Sequence, residues 1–139
     1  MATREELKKL ADLRLKEAEA LFEAHHYNGA AYLCGYAVEL AFKARICKLL
    51  GLSIYPDTGK YRAVFATHNF GELLLLAGLK SKLPPDDRAL FTNWSLAVPW
   101  TPELRYQPEG TFSRQDALDI LNAIRDPKDG VLKWIKKYW

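Results

Sequence analysis

The sequence predicts an all-α protein, an up-and-down bundle of four to five helices in a single domain spanning residues 1–139. Apolar residues recur at helical spacing over most of the chain, and no stretch alternates apolar and polar residues as a half-buried strand does. No internal repeat is present. The hydrophobic fraction of 49% and the charged fraction of 27% exclude a disordered chain, and 139 residues suit one core.

The formal net charge of +3 permits contact with an anionic partner without demanding one. The N-terminal residues lack the apolar core of a signal peptide, and no apolar run reaches the roughly 18 residues of a membrane span. We therefore expect a cytoplasmic protein without membrane contact. Cys34 and Cys47 would lie about 20 Å apart on one helix. That distance is too large for a disulfide, so both should be reduced and buried.

The first predicted helix covers residues 3–24 and begins with a capping box formed by Thr3 and Glu6. A short connection then makes the next helix its antiparallel neighbour. Arg14 falls inside the apolar stripe of this first helix and needs an acidic partner there. Glu39 on the second helix is the candidate partner, although a lysine four residues after it competes for the same carboxylate.

The second predicted helix, residues 27–50, is too apolar to lie on a surface and should be buried nearly all round. One face carries only small residues: Ala30, Cys34, Ala37, Ala41 and Ala44. At 100° per residue, four polar or aromatic side chains fall within roughly 60° of one another on another face. These are Tyr32, Tyr36, Glu39 and Lys43. The pattern predicts a central helix with one polar line along it.

The remaining chain alternates loops and shorter helices. Residues 51–67 are expected to form a loop, and residues 68–78 a third helix that ends at Gly78 as a C-cap. A fourth helix should start at Pro84–Asp87 and run to about Ala97. Residues 99–110 contain three prolines and cannot form regular helix. Residues 113–138 are the last helical region, with a kink or break near Pro127 and a fresh N-cap at Asp126.

Four segments, in this order, resemble the HEPN family, the higher eukaryote and prokaryote nucleotide-binding domains. Tyr27, Ala30 or Ala31, and Tyr32 are similar to its Tyr-x-x-Ala-x-Tyr start. Residues 37–44 (AVELAFKA) resemble its A-E-x-x-x-K-A core. Residues 67–70 (THNF) resemble its T-H-D-L, and the Arg105-Tyr106 pair resembles its R-Y-P.

The resemblance implies a helical module linked to RNA and nucleotides. Many members are metal-independent ribonucleases that use an Arg-x(4–6)-His motif, and two such motifs meet across a homodimer. Other members lack the motif and act as binding modules. Many are encoded beside a minimal nucleotidyltransferase, often as toxin–antitoxin pairs. A homodimer, a nucleotidyltransferase partner and an RNA or nucleotide ligand are therefore the expected partners.

This chain departs from the nuclease pattern because no histidine follows Arg105. Arg62 and His68 have the right spacing, with five residues between them, but lie earlier in the chain than the family keeps its pair. Our first hypothesis is therefore a non-catalytic binding module. The alternatives are a ribonuclease, in which His68 accepts the 2′-hydroxyl proton and Arg62 stabilises the phosphate, and an oligomerisation scaffold.

The candidate ligand-binding residues each have a structural alternative. Glu39 and Lys43 form either a buried ion pair or a groove in which Lys43 meets a phosphate and Tyr32 stacks on a base, with Tyr36 beside it. Arg105 and Tyr106 bind single-stranded nucleic acid, or they hold the loop, with Tyr106 closing the end of the bundle. His68 beside a helix start bonds either the backbone or a ligand.

Metal and cofactor sites are not predicted. Glu23 and His26 match the Glu-x-x-His of di-iron bundles, but the second pair and the additional glutamates are missing. No catalytic triad, P-loop or Gly-rich phosphate motif is present. The C-terminal cluster forms either a solvated helix end or a contact for an acidic partner. It contains Lys133, Trp134, Lys136, Lys137 and Trp139.

Overall fold

The computed structural model describes residues 2–139 and confirms the all-α class, since that range contains α-helices and no β-strand. Seven α-helices are formed within it, more than the four to five predicted. They are α1 (Arg4–Glu23), α2 (Tyr27–Leu50), α3 (Arg62–Phe65), α4 (Phe70–Leu76), α5 (Arg88–Ala97), α6 (Arg114–Arg125) and α7 (Val131–Lys136). The extra helices arise because one turn of helix, α3, forms inside the predicted 51–67 loop and because the last helical region divides in two.

α2 is the central helix, as the sequence predicts. α1 packs along it, and α4, α6, α7 and the 3₁₀ turn Pro102–Tyr106 contact its other sides. The small-residue face allows this close approach, and all five of its side chains are fully buried: Ala30, Cys34, Ala37, Ala41 and Ala44. Cys34 and Cys47 are free and buried, which confirms the expectation for both.

The start of α1 is the predicted capping box. Thr3 accepts from the Glu6 backbone N–H at 3.2 Å, and the Glu6 carboxylate accepts from the Thr3 N–H at 2.7 Å. The predicted Arg14–Glu39 pair is wrong. Arg14 instead donates to both carboxylate oxygens of Glu17, each at 3.0 Å. The nearer carboxylate lies one turn along the same helix, so Arg14 reaches it without being buried against α2.

The later helices begin and end at chemically defined residues. The Asn69 side chain accepts from the Glu72 N–H at 2.9 Å and caps α4. The C-cap of α4 is Ala77, and the predicted C-cap Gly78 follows it with φ 66°. α5 begins at Arg88 after the N-cap Asp87, not at Pro84. The Asp87 side chain accepts from the Leu90 N–H at 3.1 Å, and this cap sets the start at Arg88.

The predicted break near Pro127 separates α6 from α7. Asp126 does not cap α7 as predicted. Its Oδ1 accepts from the N–H groups of Lys128 and Asp129, both at 2.8 Å, and so stabilises the turn between the helices. Gly130 is the N-cap of α7, and a Cβ there would lie 2.4 Å from the Asp126 carbonyl oxygen. This close backbone approach requires glycine.

None of the helices in the described part of the chain is both long enough and apolar enough to cross a bilayer.

Candidate functional site

Glu39 is the centre of the predicted polar line. Its side chain is 2% exposed, and it is the one polar or charged residue in the buried core of residues 2–139. Oε1 bonds Nδ1 of His68 and lies 3.6 Å from Nζ of Lys43. A carboxylate this deeply buried is costly unless it is paired and hydrogen-bonded. Lys43 on α2 and His68 just before α4 supply the counter-charge and the hydrogen bond.

His68 is fixed on one side and open on the other. The side chain is 51% exposed although Nδ1 is bonded to buried Glu39. Because a carboxylate only accepts hydrogen bonds, Nδ1 carries the proton and Nε2 remains for another partner. Thr67 holds the segment, since its hydroxyl accepts from the Asn69 N–H at 3.1 Å and donates to Glu72. The imidazole is therefore presented at the surface in a fixed orientation.

Lys43 is the less accessible neighbour of Glu39, with its side chain 12% exposed. Nζ lies 5.1 Å from the centroid of the Tyr55 ring, a distance typical of a cation–π contact. The Tyr55 hydroxyl donates to the Phe65 carbonyl at 2.8 Å, and burial raises the pKa of Tyr55. This neutral phenol and the carboxylate together define the position of the ammonium group.

Tyr32 and Tyr36 continue the line toward the N-terminus of α2. Their rings meet edge to face at 5.2 Å between centroids, and Tyr36 meets Trp100 at 4.9 Å. The Trp100 indole N–H donates to the Tyr32 carbonyl at 3.1 Å. Burial first, and then the neighbouring Tyr32 hydroxyl and the Glu39 charge, raises the pKa of Tyr36 to about 12. Tyr36 is therefore a neutral hydrogen-bonding group at physiological pH.

Trp100 reaches α2 only because residue 35 is glycine. A Cβ at Gly35 would lie 2.1 Å from two atoms of the indole ring. Trp100 also stacks on Phe70 at the start of α4, with 5.2 Å between ring centroids. One indole thus joins the middle of α2, the start of α4 and the segment that leads to Arg105.

Arg105 and Tyr106 end the 3₁₀ turn Pro102–Tyr106, beside the tyrosine pair. Nη1 of Arg105 donates to the Pro102 carbonyl at 3.3 Å, and its guanidinium lies 4.7 Å from the Tyr106 ring centroid. Polar contact with Tyr106, and less strongly with Tyr32, raises the pKa of Arg105. Tyr106 is 71% exposed, so the alternative in which it closes the end of the bundle is wrong.

Asn28 attaches the chain after Arg105 to the first turn of α2. Its side-chain amide donates to the Pro108 carbonyl at 2.8 Å and accepts from the Phe112 N–H at 2.9 Å. These two bonds use both functions of the amide on one short segment, and they set how far the Arg105 turn can move from α2.

We define the polar strip as the six predicted ligand-binding residues together with His68, since the structure places them along one side of α2. They are Tyr32, Tyr36, Glu39, Lys43, His68, Arg105 and Tyr106. Arg62 is not part of the strip. It is exposed at the start of α3, and no hydrogen bond or ion pair joins it to His68 in residues 2–139. Arg62 and His68 therefore have the sequence spacing of the nuclease motif, but no hydrogen bond or ion pair joins them in the described residues.

Sequence reasoning missed three residues that build this site: Tyr55, Trp100 and Asn28. It also missed that His68 bonds Glu39. A buried carboxylate with only one neighbouring lysine is a signal that a second donor is required, and a histidine is a good candidate. The glycine at residue 35, in the middle of a buried helix, was a second signal, because it marks the close approach of a large group.

The Glu-x-x-His match of Glu23 and His26 is not part of a metal-ligand cluster in the described residues. Glu23 and His26 are exposed, and within the described residues no group of three or more His, Cys, Asp or Glu side chains is arranged to hold a metal ion.

The comparisons with known proteins give one finding. The sequence model of the HEPN domain matches residues 4–137, which is nearly the whole chain and includes every residue of the polar strip. The comparison with curated proteins and the comparison with solved structures found no significant match. With the match over residues 4–137, the all-α fold and the polar strip in place, the chain belongs to the HEPN domain family.

Proposed function

We propose that this HEPN domain is a non-catalytic binding module that takes the phosphate of a nucleotide or of RNA at the polar strip. The observation that carries the proposal is the buried Glu39 carboxylate, which holds Lys43 and His68 in place beside the tyrosine pair. Side chains that are already fixed reduce the loss of entropy on ligand binding.

The chemistry of the strip suits a phosphate carrying a base. Arg105 has an exposed guanidinium, and arginine binds phosphate oxygens through two parallel hydrogen bonds. Tyr106, 71% exposed, offers a ring face on which a base can stack. Nε2 of His68 adds a further polar group. The negative charge of Glu39 is buried and offset by Lys43, so it does not repel an incoming anion strongly.

A second candidate function is a metal-independent ribonuclease in which His68 accepts the 2′-hydroxyl proton and Arg62 stabilises the charge on phosphate. It is favoured by one observation. An imidazole that bonds a buried carboxylate through Nδ1 and leaves Nε2 open has the arrangement of a general base. Within residues 2–139 no hydrogen bond or ion pair joins Arg62 to His68, which is why the binding module is the better supported proposal.

Two measurements separate these functions. Binding of AMP, followed by calorimetry, should weaken by about tenfold for Arg105→Ala, the loss of one charge-assisted contact. Arg88→Ala, an exposed arginine at the start of α5, is the matched control and should bind AMP as the wild type does. Cleavage of RNA in EDTA that is lost in His68→Ala would replace the binding module with the nuclease.

The family relationship supports a homodimer and a minimal nucleotidyltransferase partner, as in a toxin–antitoxin-type system. Exposed apolar side chains, among them Leu52, Ile54 and Val64, supply surface for such contacts. Light scattering after gel filtration tests the dimer, and co-purification with a co-expressed nucleotidyltransferase tests the partner. If Arg105→Ala weakens no nucleotide or partner binding while the protein still self-associates, the oligomerisation scaffold is the correct function.

A further inference from the structure

A second cationic surface surrounds Tyr138 and Trp139, away from the polar strip. We call it the basic surface and define it by six side chains that contact these two aromatic residues. They are Arg4, Lys8, Arg45, Lys48, Lys82 and Lys136.

Four of these cations meet at Trp139. Arg4 donates to its main-chain oxygen at 3.0 Å, and Lys48 donates to the same oxygen at 3.4 Å. The ammonium groups of Lys8 and Lys136 lie 5.4 and 5.2 Å from the centroid of its ring. One residue thus gathers cations from both ends of the chain and from the last turn of α2.

The other two cations meet at Tyr138. Arg45 donates to its carbonyl at 3.2 Å, and the guanidinium lies 5.9 Å from its ring centroid. The Lys82 ammonium lies 5.5 Å from the same ring. Because Tyr138 and Trp139 are adjacent, the six cations form one continuous surface.

Two side-chain carboxylates pair with this set, since Lys8 lies 3.8 Å from Glu5 and Lys136 bonds Asp12, and the main-chain oxygen that Arg4 and Lys48 bond is a carboxylate oxygen of Trp139. Six positive charges less these three negative ones leave +3 at the basic surface. The basic surface is therefore net positive even after its carboxylate partners are counted.

The basic surface and the polar strip are separate. Lys43 and Arg45 are two residues apart, which places them about 200° apart around α2. Lys43 bonds toward Glu39 and Tyr55, whereas Arg45 bonds toward Ala77 and Tyr138. A ligand of one or two nucleotides at the strip cannot touch both sides of the helix.

We propose that the basic surface binds the phosphodiester backbone of a single-stranded nucleic acid. Four of the six cations are lysines, which are depleted at protein–protein interfaces but serve well as point charges for phosphate. Lysines resting on aromatic rings can move onto phosphates, and the rings then become free to stack on bases. This composition favours a polyanionic strand over an acidic protein.

The test uses a fluorescein-labelled 20-nucleotide uridine RNA, with binding followed by anisotropy at several salt concentrations. Six phosphate contacts predict a slope of log K against log salt of about −4. In Lys48→Glu/Lys82→Glu the slope should become shallower, about −3, and binding should weaken roughly tenfold or more. Both lysines are exposed and neither pairs with a side-chain carboxylate. Thymidine DNA of the same length should behave alike, because the backbone phosphates are shared.

The matched control is Lys16→Glu/Lys128→Glu, which makes the same charge change at exposed lysines outside the basic surface. This control should bind RNA several-fold more tightly than Lys48→Glu/Lys82→Glu. Lys48→Gln/Lys82→Gln repeats the test without reversed charges, and circular dichroism checks the fold of each variant. Equal losses in the two charge-reversal variants, no RNA binding by the wild type, or tighter binding to a 20-residue polyglutamate would each overturn the proposal. If the wild type does not bind AMP, only the proposed function at the polar strip is overturned.

Discussion

Lys43 and Arg105 are the two cationic ends of the polar strip, and their surroundings differ. Lys43 is 12% exposed, lies on the central helix, and is held between Glu39 and Tyr55. Arg105 is exposed, lies on a 3₁₀ turn, and bonds a carbonyl of its own turn. The difference shows that the charge of Lys43 is coupled to folding, whereas the charge of Arg105 is available to a ligand.

Trp100 connects these two regions. It bonds the Tyr32 carbonyl, packs against Tyr36, and stacks on Phe70 two residues after the histidine that bonds Glu39. The buried end of the strip thus supports the exposed end through packed aromatic rings. The following variants separate what each end contributes, with effects on the free energy of unfolding from the largest to the smallest.

Glu39→Ala should have the largest effect, a loss of roughly 3–5 kcal/mol, because it leaves the nearly buried Lys43 ammonium without its counter-ion. Unfolding in urea followed by circular dichroism measures it. The double variant Glu39→Leu/Lys43→Met removes both charges and should recover most of that loss. If the double variant is as unstable as Glu39→Ala, packing rather than charge governs this end of the strip.

Gly35→Ala should cost roughly 2 kcal/mol, since a Cβ 2.1 Å from the indole forces Trp100 away from α2 and overpacks the core. Gly29→Ala, on the same helix, is the matched control. Its nearest neighbour is a flexible leucine methyl at 3.2 Å, so alanine there should be neutral or slightly stabilising. Comparable losses at the two glycines would show that Trp100 does not join the two ends of the strip.

The sequence predicted the part of the site that one helix determines. The angular positions of the four side chains on α2 follow from helical geometry alone, and a buried glutamate demands a partner wherever it lies. Which partner it finds is not determined locally. Arg14 had two acidic residues within reach by sequence, and it took Glu17 on its own helix because no burial was required.

The residues that support the side chains of α2 come from loops, where hydrophobic periodicity does not predict the position of a side chain. Tyr55 lies in the segment after α2, His68 just before α4, and Trp100 before a 3₁₀ turn. Their positions depend on how the loops close over α2, which is a tertiary effect. The start of α5 at Arg88 is instead determined locally, because the Asp87 side chain accepts from the Leu90 N–H and caps the helix.

Asn28→Ala should cost roughly 1–2 kcal/mol, because two side-chain hydrogen bonds to the segment after Arg105 are lost at a partly exposed site. Hydrogen exchange at the Phe112 amide should become faster in parallel. Asn28→Asp keeps the acceptor for that amide but loses the donor to the Pro108 carbonyl, so it should cost about half as much. Slow exchange at Phe112 in Asn28→Ala would mean that the segment is held by other contacts.

Arg105→Ala should have the smallest effect on stability, within about 0.5 kcal/mol, because the residue is exposed, its guanidinium bonds a carbonyl of its own turn and stacks on an exposed ring, and its contact with Tyr32 is the weaker one. Lys43→Ala should instead cost several kcal/mol, since it leaves Glu39 buried with His68 as its remaining partner. Urea unfolding of the two variants, with AMP binding measured beside it, compares the ends of the strip directly. If Arg105→Ala unfolds as easily as Lys43→Ala, the exposed end is structural as well, and a binding role for the strip loses its main support.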